Sequence, residues 1–208
     1  MAAYFGIKSR LVVDGNAEET VKNILAQESL FRLSILAYLV YCAGNVVFLA
    51  ALYRILKPVN AGLALVAAFC RLLYALVWIF VVLNFFTALR LLVSPNHLLV
   101  FDGDRLQQLV TSYLTGVDAY YVGLLFWSLA STVCSYLWLR SNYIFKALAA
   151  FGLISSIWCM AFTVAFLIFP NFSNTVDLWW FDSPMVIFEI VVSFWLLFKG
   201  IKVKQQIS

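Results

Sequence analysis

Charge is what this chain has least of. Lysine, arginine, aspartate and glutamate make up 12% of its 208 residues, about half the share of a soluble domain, so it cannot cover itself with polar surface in water. Histidine occurs once, as His97, and a solitary imidazole has no partners for a metal site, a haem-ligand pair or a nucleophilic triad. Cys42, Cys70, Cys134 and Cys159 each lie inside an apolar run, none in a CxxC pair, which indicates packed thiols in place of a disulfide framework or zinc site. The sequence also lacks a Gly-rich phosphate loop, a GxSxG turn, the paired aspartates of an intramembrane protease and any long basic tract. No catalytic residue, no metal and no cofactor is therefore expected, and the scattered net charge of +4 argues against a nucleic-acid partner.

What is present is apolar: 64% hydrophobic and 17% aromatic residues, gathered into runs that match the roughly 20 helical residues needed to cross the hydrocarbon of a bilayer. The first run is 33–56, stopped by Lys57-Pro58-Val59-Asn60, where proline lacks the donor a helix needs and restricts the residue before it. The second, 61–93, is about 50 Å long at 1.5 Å per residue and must tilt or project; Ser94-Pro95-Asn96 ends it. An amphipathic stretch from Asp104, with Leu106, Leu109, Val110, Tyr113 and Leu114 at helical spacing, leads along the interface into a third run that ends near Leu139. The fourth is 145–169, closed by Pro170-Asn171, and the last is 184–201, opened by Pro184. Between these two, residues 170–183 carry Asp177, Trp179, Trp180 and Asp182 and read as an interfacial loop with aromatic anchors.

The expectation is an all-α polytopic bundle with five transmembrane helices: a polar segment 1–32 containing a short surface helix from Asn16 to Glu28, a transmembrane domain 33–201, and a basic tail 202–208. Asn16 and Glu19 stand at capping-box spacing. Lysine and arginine in short loops are retained in the cytoplasm, so Arg54 and Lys57, Arg140 and Lys146, and Lys199, Lys202 and Lys204 place the first and third connections and the C-terminus inside. That leaves Lys8, Arg10 and Lys22 outside with no signal peptide to carry them. The opening Ala2-Ala3-Tyr4-Phe5-Gly6-Ile7 reads as the last turns of a further upstream helix, which would return the N-terminus to the cytoplasm.

Several short motifs recur in one known order: Lys57-Pro58-Val59-Asn60, Phe69 with Arg71-Leu72, Gly123-Leu124-Leu125-Phe126, Arg140-Ser141-Asn142-Tyr143 and Trp195-Leu196-Leu197-Phe198-Lys199-Gly200. Through them essentially the whole chain resembles the bacterial membrane proteins grouped as domain of unknown function 4386. The resemblance implies six helices, the first missing or truncated here, and a bacterial inner-membrane location. Family members often have glycine and then proline at the turn where this chain has Asn142 and Phe145, and often a histidine near Ala130, so no role can rest on that histidine here.

Arg71 and Glu189 are the most informative residues, because a charge at mid-membrane costs roughly 2.5 to 17 kcal/mol by different measures unless paired or hydrated. Arg71 follows Ala61 by ten residues and Glu189 precedes Lys199 by ten, so both lie about 15 Å from the same face. Asn45 and Asn84 would extend this polar site, although lone amides are more often interhelical glue. The bland alternatives are a structural ion pair and an arginine that snorkels to the surface. Arg90 and Asp118 form a second depth-matched pair near the outer face, with Arg105 a competitor for the acid; ordinary interface pairing is the stronger reading there. The serines of the third and fourth runs read as packing faces.

Three functions remain open. The leading one is a non-catalytic membrane protein with a polar site between the second and last helices, for transport, sensing or partner binding. The others are a membrane-embedded enzyme acting on a lipid or isoprenoid, and a structural subunit of a membrane complex. The bilayer is the one partner implied directly, with a second copy of the chain or another membrane protein left open.

Overall fold

The computed structural model describes residues 11–13, 16–93, 103–115, 117–169, 176 and 179–200. Among them are seven helices: α1 (Ala17–Ala26), α2 (Glu28–Leu56), α3 (Ala61–Val93), α4 (Gly103–Thr115), α5 (Val117–Ser141), α6 (Lys146–Ile168) and α7 (Trp179–Lys199). Five stretches are long and apolar enough to cross a membrane, α2, α3, Asp104–Ser141, α6 and α7, and the protein is an all-α, multi-pass membrane protein. Large side chains such as Val47, Phe80, Ile154 and Leu197 are more than 60% exposed, a surface that fits hydrocarbon and would be an aggregation hazard in water.

Local chemistry explains most of the helix ends. Asn16 caps α1: its Oδ1 accepts from the Glu19 backbone N–H at 3.0 Å while its Nδ2 donates to Glu19 Oε2 at 3.1 Å. Removing the cap in Asn16→Ala is expected to cost about 1 kcal/mol locally, read as faster amide hydrogen exchange across α1 with the five spans unaffected. Past Pro58, the Asn60 side chain accepts from the Leu63 N–H at 2.9 Å and so starts α3 as Pro58 stops α2. Asn142 ends α5 at φ 55°, a left-handed conformation that asparagine tolerates better than most residues. Phe145 precedes α6 at φ −60°, the angle proline would impose. The two angles are ones that glycine and proline favour.

Two boundaries differ from expectation by more than two residues. The first span begins at Glu28, not Leu33, because a helix continues out of the apolar layer while its backbone bonds persist, here with an exposed Glu28–Arg32 pair at 2.7 Å across one turn. The last begins at Trp179, with Pro184 inside the helix. A proline this close to a helix start forfeits one intrahelical bond, and Asp182 in the first turn favours the positive end of the helix dipole. Trp179, Trp180 and Asp182 are accordingly helical, not loop, with Asp182 buried. Ala2–Ile7, His97, Asp177 and the tail with Lys202 and Lys204 lie outside the described residues.

The chain forms two compact units, Met1–Gly44 with Ala75–Tyr120 and Asn45–Tyr74 with Tyr121–Ser208. In the first, α1 packs against α4, whose buried face is Leu106, Val110 and Leu114; a ring cluster of Phe31, Tyr38, Tyr41, Trp78, Phe85 and Tyr120 fills the rest. The second is built around Leu52, Leu56, Ala67, Leu137, Trp138, Ile144, Ala149, Phe188 and Val192. There α6 packs on α7 through a small face of Ala149, Gly152, Ser155, Ser156 and Cys159, with Gly152 against the Phe188 ring.

Candidate functional site

Among the described residues, the second unit gathers polar side chains around buried Arg71. Arg71 on α3 and Glu189 on α7 form an ion pair in which side-chain exposure is 6% and 21%. Both guanidinium ends take part, Nη2 on Glu189 Oε1 and Nη1 on Oε2 at 3.4 Å. Two residues of α5 complete the shell: the Trp127 indole N–H donates to Glu189 Oε1 at 2.8 Å, and the Ser131 hydroxyl donates to the same oxygen while accepting from Arg71 Nη2 at 3.2 Å. Phe48 on α2 lies against the guanidinium, 5.5 Å from Cζ to ring centroid, a favourable contact of a cation with a π face. Four helices thus contribute to one polar centre.

Spacing on α5 is what makes this possible. Trp127, Ser131 and Ser135 are four residues apart, so a single helix face carries them all. Ser128 and Thr132, off that face, return their hydroxyls to carbonyls of their own helix at 2.9 and 2.8 Å, and so do Ser155, Ser156 and Thr163 on α6. Those hydroxyls serve packing. Ser131 is the one whose proton reaches across to Glu189.

Two donors are left over beside the pair. Arg71 Nε and Ser135 Oγ are buried with no hydrogen-bond partner among the described residues. Arg71 also lines a cavity with Leu49, Leu52, Tyr53, Leu56, Ala64, Ala67, Ala68 and Cys134, at the lower limit of space for a single water. Glu189 Oε1 accepts from three donors, more than its two lone pairs serve with good geometry, whereas Oε2 has the long contact with Arg71 Nη1 at 3.4 Å.

Asn45 is half-buried on α2 of this unit, whereas Asn84 is half-buried on α3 in the other. Arg90 is exposed in the last turn of α3, and the Asp118 side chain is outside what the structure describes. Trp127 is absent from the sequence reading and Ser131 is read there with the packing serines; their four-residue spacing puts the two on one face but does not tell that face from the others.

The family model described as domain of unknown function 4386 matches residues 1–200, and the chain belongs to that family. No curated protein and no solved structure matches it.

Proposed function

Membership of that family leaves the role to be argued from the site, and we propose that the protein is a non-catalytic bacterial inner-membrane protein whose Arg71–Glu189 centre locks α3, α5 and α7 together. The lock serves a sensing or partner-binding role in preference to solute passage. One observation carries this reading: Arg71, Glu189, Trp127 and Ser131 bond chiefly to one another, and the cavity beside Arg71 has room for about one water. A solute path would need a continuous polar lining, and an enzyme would need a carboxylate oxygen left over for its substrate. The enzyme reading retains one supporting feature, Glu189 Oε2, whose contact with Arg71 is long at 3.4 Å.

Thiol accessibility separates these readings. With the native cysteines replaced, a cysteine at buried Ser135, one turn from Ser131, should resist a water-soluble methanethiosulfonate reagent in membranes, while one at exposed Asn60 reacts. Comparable rates at the two positions would mean an aqueous route to the centre and would sink the lock.

The same proposal puts the connections after α2 and α5, and the C-terminal tail 202–208, in the cytoplasm, since exposed Arg54, Lys57, Arg140, Lys146 and Lys199 gather there. In intact cells an impermeant thiol reagent is expected to label a cysteine at Asn174 and spare one at Asn142; the opposite pattern inverts the orientation.

A further inference from the structure

In the second unit the ends of α2, α5 and α7 and the start of α6 meet around Leu56, Leu137, Trp138, Ile144 and Val192. Three of these helices finish on the same arrangement, an aromatic ring followed four residues later by a cation lying over it. Lys57 sits over Tyr53 at 5.8 Å, Arg140 over Tyr136 at 5.8 Å and Lys199 over Trp195 at 4.5 Å. Arg54 and Lys146 complete a rim of exposed cations. None of the five is in an ion pair among the described residues, whose two salt bridges are Glu28–Arg32 and Arg71–Glu189. The acids of this unit are Asp177, Asp182 and Glu189: Asp182 opens α7, at the end away from Lys199, and Glu189 is in the buried pair.

Helix dipoles account for Lys57, Arg140 and Lys199, which follow or close C-terminal turns. They do not account for Lys146, the first residue of α6, where the dipole opposes a cation. Retention of basic loops during insertion needs the charges but not the rings. What all five cations and three rings suit is a negative layer just outside the apolar core, at the depth where tyrosine and tryptophan settle among headgroups.

We propose that this rim binds anionic phospholipid headgroups in preference to zwitterionic ones. Each ring holds the shaft of its cation along the membrane surface, so the ammonium and guanidinium groups face lipid phosphates. A zwitterionic headgroup neutralises its phosphate internally, whereas an anionic one leaves net charge for the rim to meet. The inference does not depend on the Arg71–Glu189 lock.

Tryptophan quenching by dibrominated lipids in reconstituted vesicles tests it, with Trp195 beside Lys199 as reporter, its share taken as the difference between the wild type and Trp195→Phe. Dibrominated phosphatidylglycerol is expected to associate at least about fivefold more strongly than dibrominated phosphatidylcholine, the factor that one near-surface cation contributes. About 0.5 M salt should erode the preference, and the variant Arg54→Gln/Lys57→Gln/Arg140→Gln/Lys146→Gln/Lys199→Gln should abolish it, while Lys57→Arg/Arg140→Lys/Lys199→Arg keeps it. Equal quenching by the two lipids in the wild-type protein, a preference indifferent to salt, or one that survives in the glutamine variant would overturn the proposal. Reversal by millimolar glycerol phosphate would do so too, by showing a site for free phosphate instead of lipid. The wild-type comparisons decide the matter even if the glutamine variant does not fold.

Discussion

Arg71→Leu is expected to lower stability in detergent by about 3–5 kcal/mol, the usual cost of leaving one member of a buried ion pair without its partner. The substitution leaves Glu189 with the Trp127 indole and the Ser131 hydroxyl as donors, two neutral groups around a full negative charge. Glu189→Leu is expected to cost a similar amount. It leaves the guanidinium with Ser131 and the face of Phe48, ten residues into α3 and with no carboxylate beside it. Arg71→Lys should fall between wild type and Arg71→Leu, because an ammonium keeps the charge and loses the fork that engages both carboxylate oxygens. Thermal or denaturant unfolding followed by tryptophan fluorescence provides the comparison; an Arg71→Leu protein as stable as wild type would show that the pair contributes nothing.

Enlarging Gly152 is expected to be the next most damaging change. A methyl group there would overlap the Phe188 ring, and Phe188 is itself buried, so the ring cannot swing into open space. Overpacking of this kind costs about 1–3 kcal/mol, with Gly152→Ala at the low end and Gly152→Val at the high end. Phe188 immediately precedes Glu189, so pushing α7 away from α6 also strains the polar centre. Shortening the ring should restore the fit: Gly152→Ala combined with Phe188→Leu is expected to be more stable than Gly152→Ala alone. If the two substitutions simply add, the contact is not what holds α6 to α7.

The fold was legible wherever one residue decides an outcome by itself. Pro58 lacks a donor and Asn60 supplies a cap, so the break between α2 and α3 could be read from four letters. Pro184 misled because the same ring that ends a helix interior is tolerated near a helix start, and nothing local to Pro184 distinguishes the two. Glu28 was hidden for a different reason: hydropathy marks where the bilayer ends, not where backbone hydrogen bonding does. In the site, counting from the span ends puts Arg71 and Glu189 at one depth, because 1.5 Å per residue is nearly invariant. Trp127 and Ser131 could not be singled out that way. Serines and tryptophans recur along these spans as packing and interfacial residues, and only the rotation of α5 about its own axis selects which of them meets Glu189.

A double-mutant cycle on Arg71 and Glu189 tests the lock most directly, using unfolding free energies of the wild type, Arg71→Leu, Glu189→Leu and the double variant in one detergent. If the two charges exist for each other, the double variant should be more stable than either single one, since removing both leaves no buried charge without a partner. A double variant whose loss equals the sum of the single losses would contradict the account and leave Arg71 and Glu189 as independent residues that happen to lie close together.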